Sequence, residues 1–381
     1  MNEQRLREAL RNVPVEDARA RTLDVLRAAY REREPALPRT HRLVAPIRCR
    51  RRLAPAFVIL AALLVIGVVL AAVNSPGDAV ARWVREVLGT DHPHARPALV
   101  RVPGGGRLLV SSPDGVWVIA ADGSRRRLGD YAGASWSPRG LYVVAWRDHE
   151  LFAVEPGGQV RWSLARRGTI DMARWAPVDG YRIAYLAGRT LRIVNGDGTG
   201  DHALGRASVG VAPAWRPDAR HVLAYAARDG RLRVVAVDGG GEWHARLRGI
   251  IQLAWAPNGR RLAAVRPRGV VLFDRGGHRV GVRRPPRGMA VDYASWSPRG
   301  QLAVVVRGAA RSEVRVGQRT LFTGSGRFIG LAWSPSGRRM LVPWPAADQW
   351  LFLSADGGRV AAVANIARQF GSTRPVEWCC R

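Results

Sequence analysis

The 381-residue chain contains no lysine: all 60 of its basic residues are arginine, set against 30 acidic ones, for a formal net charge of +30. Without lysine there can be no phosphate-binding loop of the G-x-x-x-x-G-K type, whose lysine reaches the phosphates. A GC-rich genome explains the arginine bias more simply than a need for guanidinium chemistry. The excess of positive charge nevertheless favours polyanions as neighbours. Cysteine is nearly absent as well, with Cys49, Cys379 and Cys380 only. No pair of C-x-x-C motifs exists, which removes the usual zinc pattern. Adjacent cysteines at 379 and 380 leave two outcomes open, a bond to each other or two thiols on opposite faces of a strand. No G-x-S-x-G occurs, so a hydrolase built on a nucleophile elbow is unsupported.

Long apolar runs are missing with one exception. Residues 53–73 are 21 consecutive uncharged positions. As a helix they would span about 32 Å, against about 30 Å for a bilayer core. Arg48, Arg50, Arg51 and Arg52 precede them directly, with Arg39 and Arg42 nearby. The positive-inside rule then predicts residues 1–52 in the cytoplasm and everything after Val73 outside. A cleavable signal peptide is the competing expectation, but its leading region would be too long and its apolar core longer than such segments use.

The flanks of this run read as helices. Asn2 to Val13 and Val15 to Glu34 are separated by Pro14, and Leu23, Leu26 and Tyr30 form an apolar stripe on the second. A charged helical tail of that kind is a docking element for a cytoplasmic partner, with an unpartnered leader as the bland alternative. After the run, Ser75 as N-cap, Pro76 at the first position and Gly89 as stop predict a short amphipathic helix with Val80, Trp83, Val84, Val87 and Leu88 on one face. It suits either the outer membrane surface or a spacer role within the linker at 74–97.

The rest of the chain repeats. Trp136, Trp175, Trp215, Trp255, Trp296 and Trp333 are separated by 39, 40, 40, 41 and 37 residues, and each is followed two positions later by proline. Each unit reads as a short apolar strand ending in tryptophan, a Pro-x-Gly turn, two apolar strands and a weaker polar one. Asp-Gly and Gly-Gly hairpin signals occur at Asp122-Gly123, Gly157-Gly158, Asp197-Gly198 and Asp356-Gly357. A period near 40 with four strands per unit predicts a β-propeller, because one blade cannot cover both its faces. Seven units start near residues 98, 133, 172, 212, 252, 293 and 330. Seven blades are therefore expected over 98–381, with six or eight as the neighbouring counts. The first unit has Arg101 where the tryptophan should be, while Trp378 lies on a spare strand at the far end. The expectation is that this strand completes blade one, which would leave no open edge. The tryptophans, Trp378 included, are expected to pack between blades.

The W-S-P-x-G turn, intact at Trp136–Gly140, Trp296–Gly300 and Trp333–Gly337, resembles the WD40-like repeats of TolB-type propellers. The TolB-type ring has six blades, against the seven units here. The turns at Trp175 and Trp215 also depart from the motif. The resemblance implies fold and leaves activity open, since propellers host many functions. In layout the chain is also similar to membrane-anchored anti-sigma regulators, although it lacks their zinc motif.

Candidate chemistry is sparse. Asn195-Gly196-Asp197-Gly198-Thr199-Gly200-Asp201 spaces oxygen ligands like the start of a calcium loop, but Arg206 stands where the closing glutamate should be, and a hairpin turn is expected there. Asp91-His92-Pro93-His94 offers two imidazoles in a polar linker, which is a weak metal pattern. Acidic residues are too few in the repeats to assemble the carboxylates of a lactonase-like channel. No cofactor or metal is therefore expected. The expected function is binding, by a membrane-anchored external module with a protein partner. Lipid headgroups or an anionic envelope polymer are further candidates, and the topology argues against nucleic acid. Because propeller faces are made of turns, Arg139, Asp179, Asp218, Asn258 and Arg299 are the first binding candidates. A channel hydrolase and a purely structural envelope scaffold are the alternatives.

Overall fold

The computed structural model describes residues 95–96, 98–178, 181–218, 221–371 and 376–380. The expected tail at 1–52, the span at 53–73, Cys49, the short amphipathic helix and the histidines at 92 and 94 lie outside the described residues. Among the described residues, no helix is long and apolar enough to cross a membrane.

The repeats form seven four-stranded antiparallel sheets. Six inner strands, Gly133–Trp136, Ile170–Trp175, Ala214–Trp215, Gln252–Trp255, Ala290–Trp296 and Ala332–Trp333, each end on a ladder tryptophan. Consecutive inner strands touch one another all the way round, and the circle is completed through Val376–Cys379. The protein is a seven-bladed all-β propeller.

Closure follows the pattern expected at Trp378. Val376–Cys379 pairs antiparallel with Arg107–Ser112, placing Trp378 opposite Leu108, and supplies the inner strand of blade one. The sequence before Arg107 does not supply that inner strand. Arg96 forms a parallel bridge to Val363 on the outer strand of blade seven, so the chain is already against the ring before residue 98. Glu377 fastens the closing strand to its neighbour, accepting a hydrogen bond from the Trp136 backbone N–H at 3.0 Å. Cys379 and Cys380 are bonded to each other. This pair packs against Gly140, and Arg107 reaches over it to the Gly140 carbonyl at 2.8 Å.

The core is divided. Seven clusters of buried apolar side chains occur, one at each blade-to-blade interface. Each contains or contacts one ladder tryptophan, from Trp136 between blades one and two to Trp378 between blades seven and one. Burial of apolar side chains, these large rings among them, is the main favourable term at each interface.

The W-S-P-x-G turn explains its own composition. At Ser297 the hydroxyl accepts from the backbone N–H of Arg299 and of Gln301, and Gly300 N–H closes the turn on the Ser297 carbonyl at 2.9 Å. Gly300 has φ +79°, a left-handed conformation that glycine adopts without a Cβ penalty. Blade four departs from the pattern. Arg216 replaces the serine, and its buried guanidinium pairs with Asp218 at 2.5 Å and Glu242 at 2.8 Å.

Candidate functional site

The turns between inner and second strands emerge on one face of the ring, together with the hairpins between third and outer strands. Arg139 and Arg299 are exposed there and make no ion pair among the described residues. Arg299 lies along the next turn, where its Cγ is 3.3 Å from the position a Gly337 Cβ would take. Asn258 shapes its own turn by accepting from the Arg260 N–H at 3.0 Å. Asp218 is engaged by Arg216 and, at 3.4 Å, by Arg275. Asp179 lies outside the described residues. The described candidates share a face but are spread around it blade by blade, and they line neither of the two clefts described below.

The calcium-like segment is the hairpin of blade three, closed by Asn195 N–H to the Thr199 carbonyl at 2.9 Å. Asp197 accepts from the Thr199 backbone and hydroxyl. Asp201 sits deeper and is almost fully buried. Its carboxylate accepts from Arg166 Nε at 2.9 Å, Arg192 Nε at 2.9 Å and the Tyr185 hydroxyl at 2.5 Å. Burial pulls the Asp201 carboxyl upward, and the hydrogen bonds from Arg192, Tyr185 and Arg166 overcome that pull to leave it below its usual value. The Tyr185 phenol is pushed up to about 12, first by burial and then by the Asp201 carboxylate.

Carboxylates on the inner strands are also engaged. Asp292 accepts from Arg307 at 2.8 Å and Arg327 at 2.9 Å. Glu377 lies 3.8 Å from Arg174 in addition to its bond to Trp136. The inner wall therefore offers arginine–carboxylate pairs that tie blades together.

Among the described residues, two of the clefts concern the blade interfaces. One, of about 900 Å³, lies where residues 98–105 pass the outer strand of blade seven, with Arg96, Arg101, Arg339 and Arg359 in its lining. The other, of about 830 Å³, runs between blades five and six. Its floor is apolar, formed by Leu272, Val291, Trp296, Leu302, Val304 and Val306. Arg261, Arg283 and Arg284 stand at its rim with no carboxylate partner among the described residues, whereas Arg315 is paired with Glu313.

This second cleft is a break in the ring's symmetry. In every blade, two second-strand positions face the preceding blade, beginning with the residue paired to the ladder tryptophan. Leu108, Val143, Ile183, Leu223, Leu262 and Met340 are all buried at the first of them, and Leu302 alone is half-exposed. Val304 is likewise the half-exposed member of the second set. Sequence reasoning missed this cleft because its residues are regular strand residues in good alternation. The one signal in the sequence is Gly281, an outer-strand residue with no side chain.

No protein-family model matches the chain, and no curated protein does either. Solved structures do. A functionally unknown protein from Desulfotomaculum acetoxidans aligns with TM-score 0.57 at 10% identity, over 72% of this chain and 99% of its own. The C-terminal WD40 domain of Sif2 aligns with TM-score 0.50 at 11% identity, over 72% and 84%. A chain of the Mitotic Checkpoint Complex gives 0.50 at 18%, over 71% and 85%. These likenesses establish the WD40-type propeller fold.

Proposed function

We propose that this protein is a binding module, a propeller that recognises a protein partner outside the cell and is held at the membrane by residues 53–73. The open cleft between blades five and six carries the proposal. An apolar floor rimmed by arginines that make no ion pair among the described residues is a surface open to a partner, and convergent apolar and charged groups are typical of binding sites. That one of the similar solved chains comes from a multiprotein complex is consistent with this use of the fold.

Binding is favoured over catalysis because Asp201, Asp292 and Glu377 are each held by arginines or backbone in structural roles. A carboxylate serves general acid–base catalysis only where it has access to substrate. The 21-residue uncharged run with its preceding arginines supports the anchor and the orientation, and the charged sequence of residues 1–52, with its apolar stripe at Leu23, Leu26 and Tyr30, supports a second, cytoplasmic partner.

Crosslinking of the full-length chain in intact cells tests the proposal. The expected result is one reproducible external partner, lost when the propeller is removed. Reporter fusions should place residue 381 outside and residue 1 inside. A propeller found in the cytoplasm would overturn the orientation and restore nucleic acid as a candidate.

A further inference from the structure

The cleft between blades five and six has an internal explanation that also identifies what fits it. In blade two the outer-strand residue opposite Ala153 is Trp162, and in blade four the residue opposite Val234 is Trp243. Both rings lean onto the third-to-outer hairpin of the following blade. Trp162 donates its indole N–H to the Gly196 carbonyl at 2.8 Å, and Trp243 donates to the Arg275 carbonyl at 2.8 Å. Glycine makes room under each ring, at Gly198 and Gly277. Each tryptophan is thus a plug over the interface with the next blade.

The same register in blade five places Gly281 opposite Leu272. A Cβ built at Gly281 would meet only Leu272 Cδ1, at 3.9 Å, so the space a plug would fill is open. The following hairpin is also shortened, to Gly317-Gln318 between the strands Arg311–Val316 and Arg319–Ser325. Leu302 and Val304 lie half-exposed as a result. Arg261, Arg283 and Arg284 surround the gap, and its lining contains no acidic side chain.

We infer that this groove receives, from a partner, the aromatic side chain that the ring supplies to itself at Trp162 and Trp243, presented on an acidic segment that pairs with Arg261, Arg283 and Arg284. The occupant is an acidic peptide with an aromatic anchor. The apolar floor selects the ring, and the unpaired guanidiniums select flanking carboxylates, with which arginine forms bidentate hydrogen bonds. The inference rests on the binding function proposed above and names its site and ligand class.

The test uses purified full-length protein and a blocked, fluorescein-labelled Asp-Glu-Trp-Glu-Asp peptide read by polarisation. Binding to the wild-type chain is expected. Gly281→Trp, which plugs the groove in cis, should weaken it at least tenfold while thermal unfolding is unchanged or raised. The double change Arg283→Gln with Arg284→Gln, on the solvent-facing rim, should weaken binding severalfold and flatten its salt dependence. Changing the peptide tryptophan to alanine should weaken it at least tenfold. Three results would overturn the inference: no binding to the wild-type chain, equal binding to Gly281→Trp, or equal binding of the alanine peptide, the last marking a general anion patch. If crosslinking still captures an external partner in that event, the binding function stands and only this assignment of site and ligand falls.

Discussion

Trp255 donates its indole N–H to the backbone carbonyl of Ala214, one blade back, at 3.2 Å. The relationship recurs from Trp215 to Arg174 at 2.9 Å, Trp296 to Ala254 at 3.1 Å and Trp333 to Ser295 at 3.1 Å. In each case the acceptor immediately precedes the tryptophan of the previous blade. The ladder is therefore a hydrogen-bonded chain as well as a packing repeat. It is broken through blades one to three. Trp378 donates instead to Gly105 in its own blade, at 2.8 Å, and the indole N–H groups of Trp136 and Trp175 are buried without an acceptor.

That difference predicts unequal costs for the same substitution. Trp255→Phe removes a made hydrogen bond, whereas Trp175→Phe removes a buried donor that has none. Trp255→Phe should be the more destabilising by about 1–2 kcal/mol, read from urea unfolding of the two variants side by side. Equal costs would show that the ladder bonds contribute nothing.

The closing strand should be indispensable. Truncation after Gly371 strips Val376–Cys379 from blade one, exposes the edge of Arg107–Ser112 and removes Trp378 from the last interface. A loss of about 3 kcal/mol or more is expected, with aggregation through the unpaired edge. Thermal unfolding and light scattering of the truncated chain are the measurements, and an unchanged melting temperature would refute ring closure by this strand.

Two glycines of the same motif should respond differently. A Cβ at Gly300 meets nothing within 4 Å, so Gly300→Ala carries only the left-handed backbone cost of about 1 kcal/mol. A Cβ at Gly140 would run into the Sγ of Cys380 and the Arg107 guanidinium. Gly140→Ala should therefore cost clearly more, in a denaturation comparison of the pair.

The acid limb of stability should carry the mark of Asp201. Its carboxyl is held below its usual value in the folded ring, so its contribution is fully present above the unfolded pKa of about 3.9 and is lost as pH falls through the folded one. Arg166 and Arg192 remain charged throughout. Asp201→Asn should cost about 1–3 kcal/mol at pH 7 and progressively less as the pH falls below the unfolded pKa, which unfolding over an acid pH series measures.

The sequence repeat made much of the fold legible. Tryptophan spacing counted the blades, and the mismatch between Arg101 and Trp378 located the seam. The binding candidates were less legible. Asp218 looks like a free rim residue in the sequence, but its neighbour Arg216 is buried and draws it into an ion pair. The same slot holds serine or alanine in the neighbouring units and is buried there too, but an arginine at position 216 reads in the sequence as a solvent-facing charge.

By itself the sequence determined the number of blades, the closing strand and the face on which each turn lies, because these follow from strand periodicity and a covalent order that cannot be rearranged. Only the tertiary structure decided which interfaces are full. Alternation along a strand shows that Leu302 and Val304 face a neighbouring blade. It does not show that the neighbour, at Gly281, presents no side chain to cover them. Burial belongs to pairs of elements brought together by folding, and in this ring that pairing leaves the groove between blades five and six open.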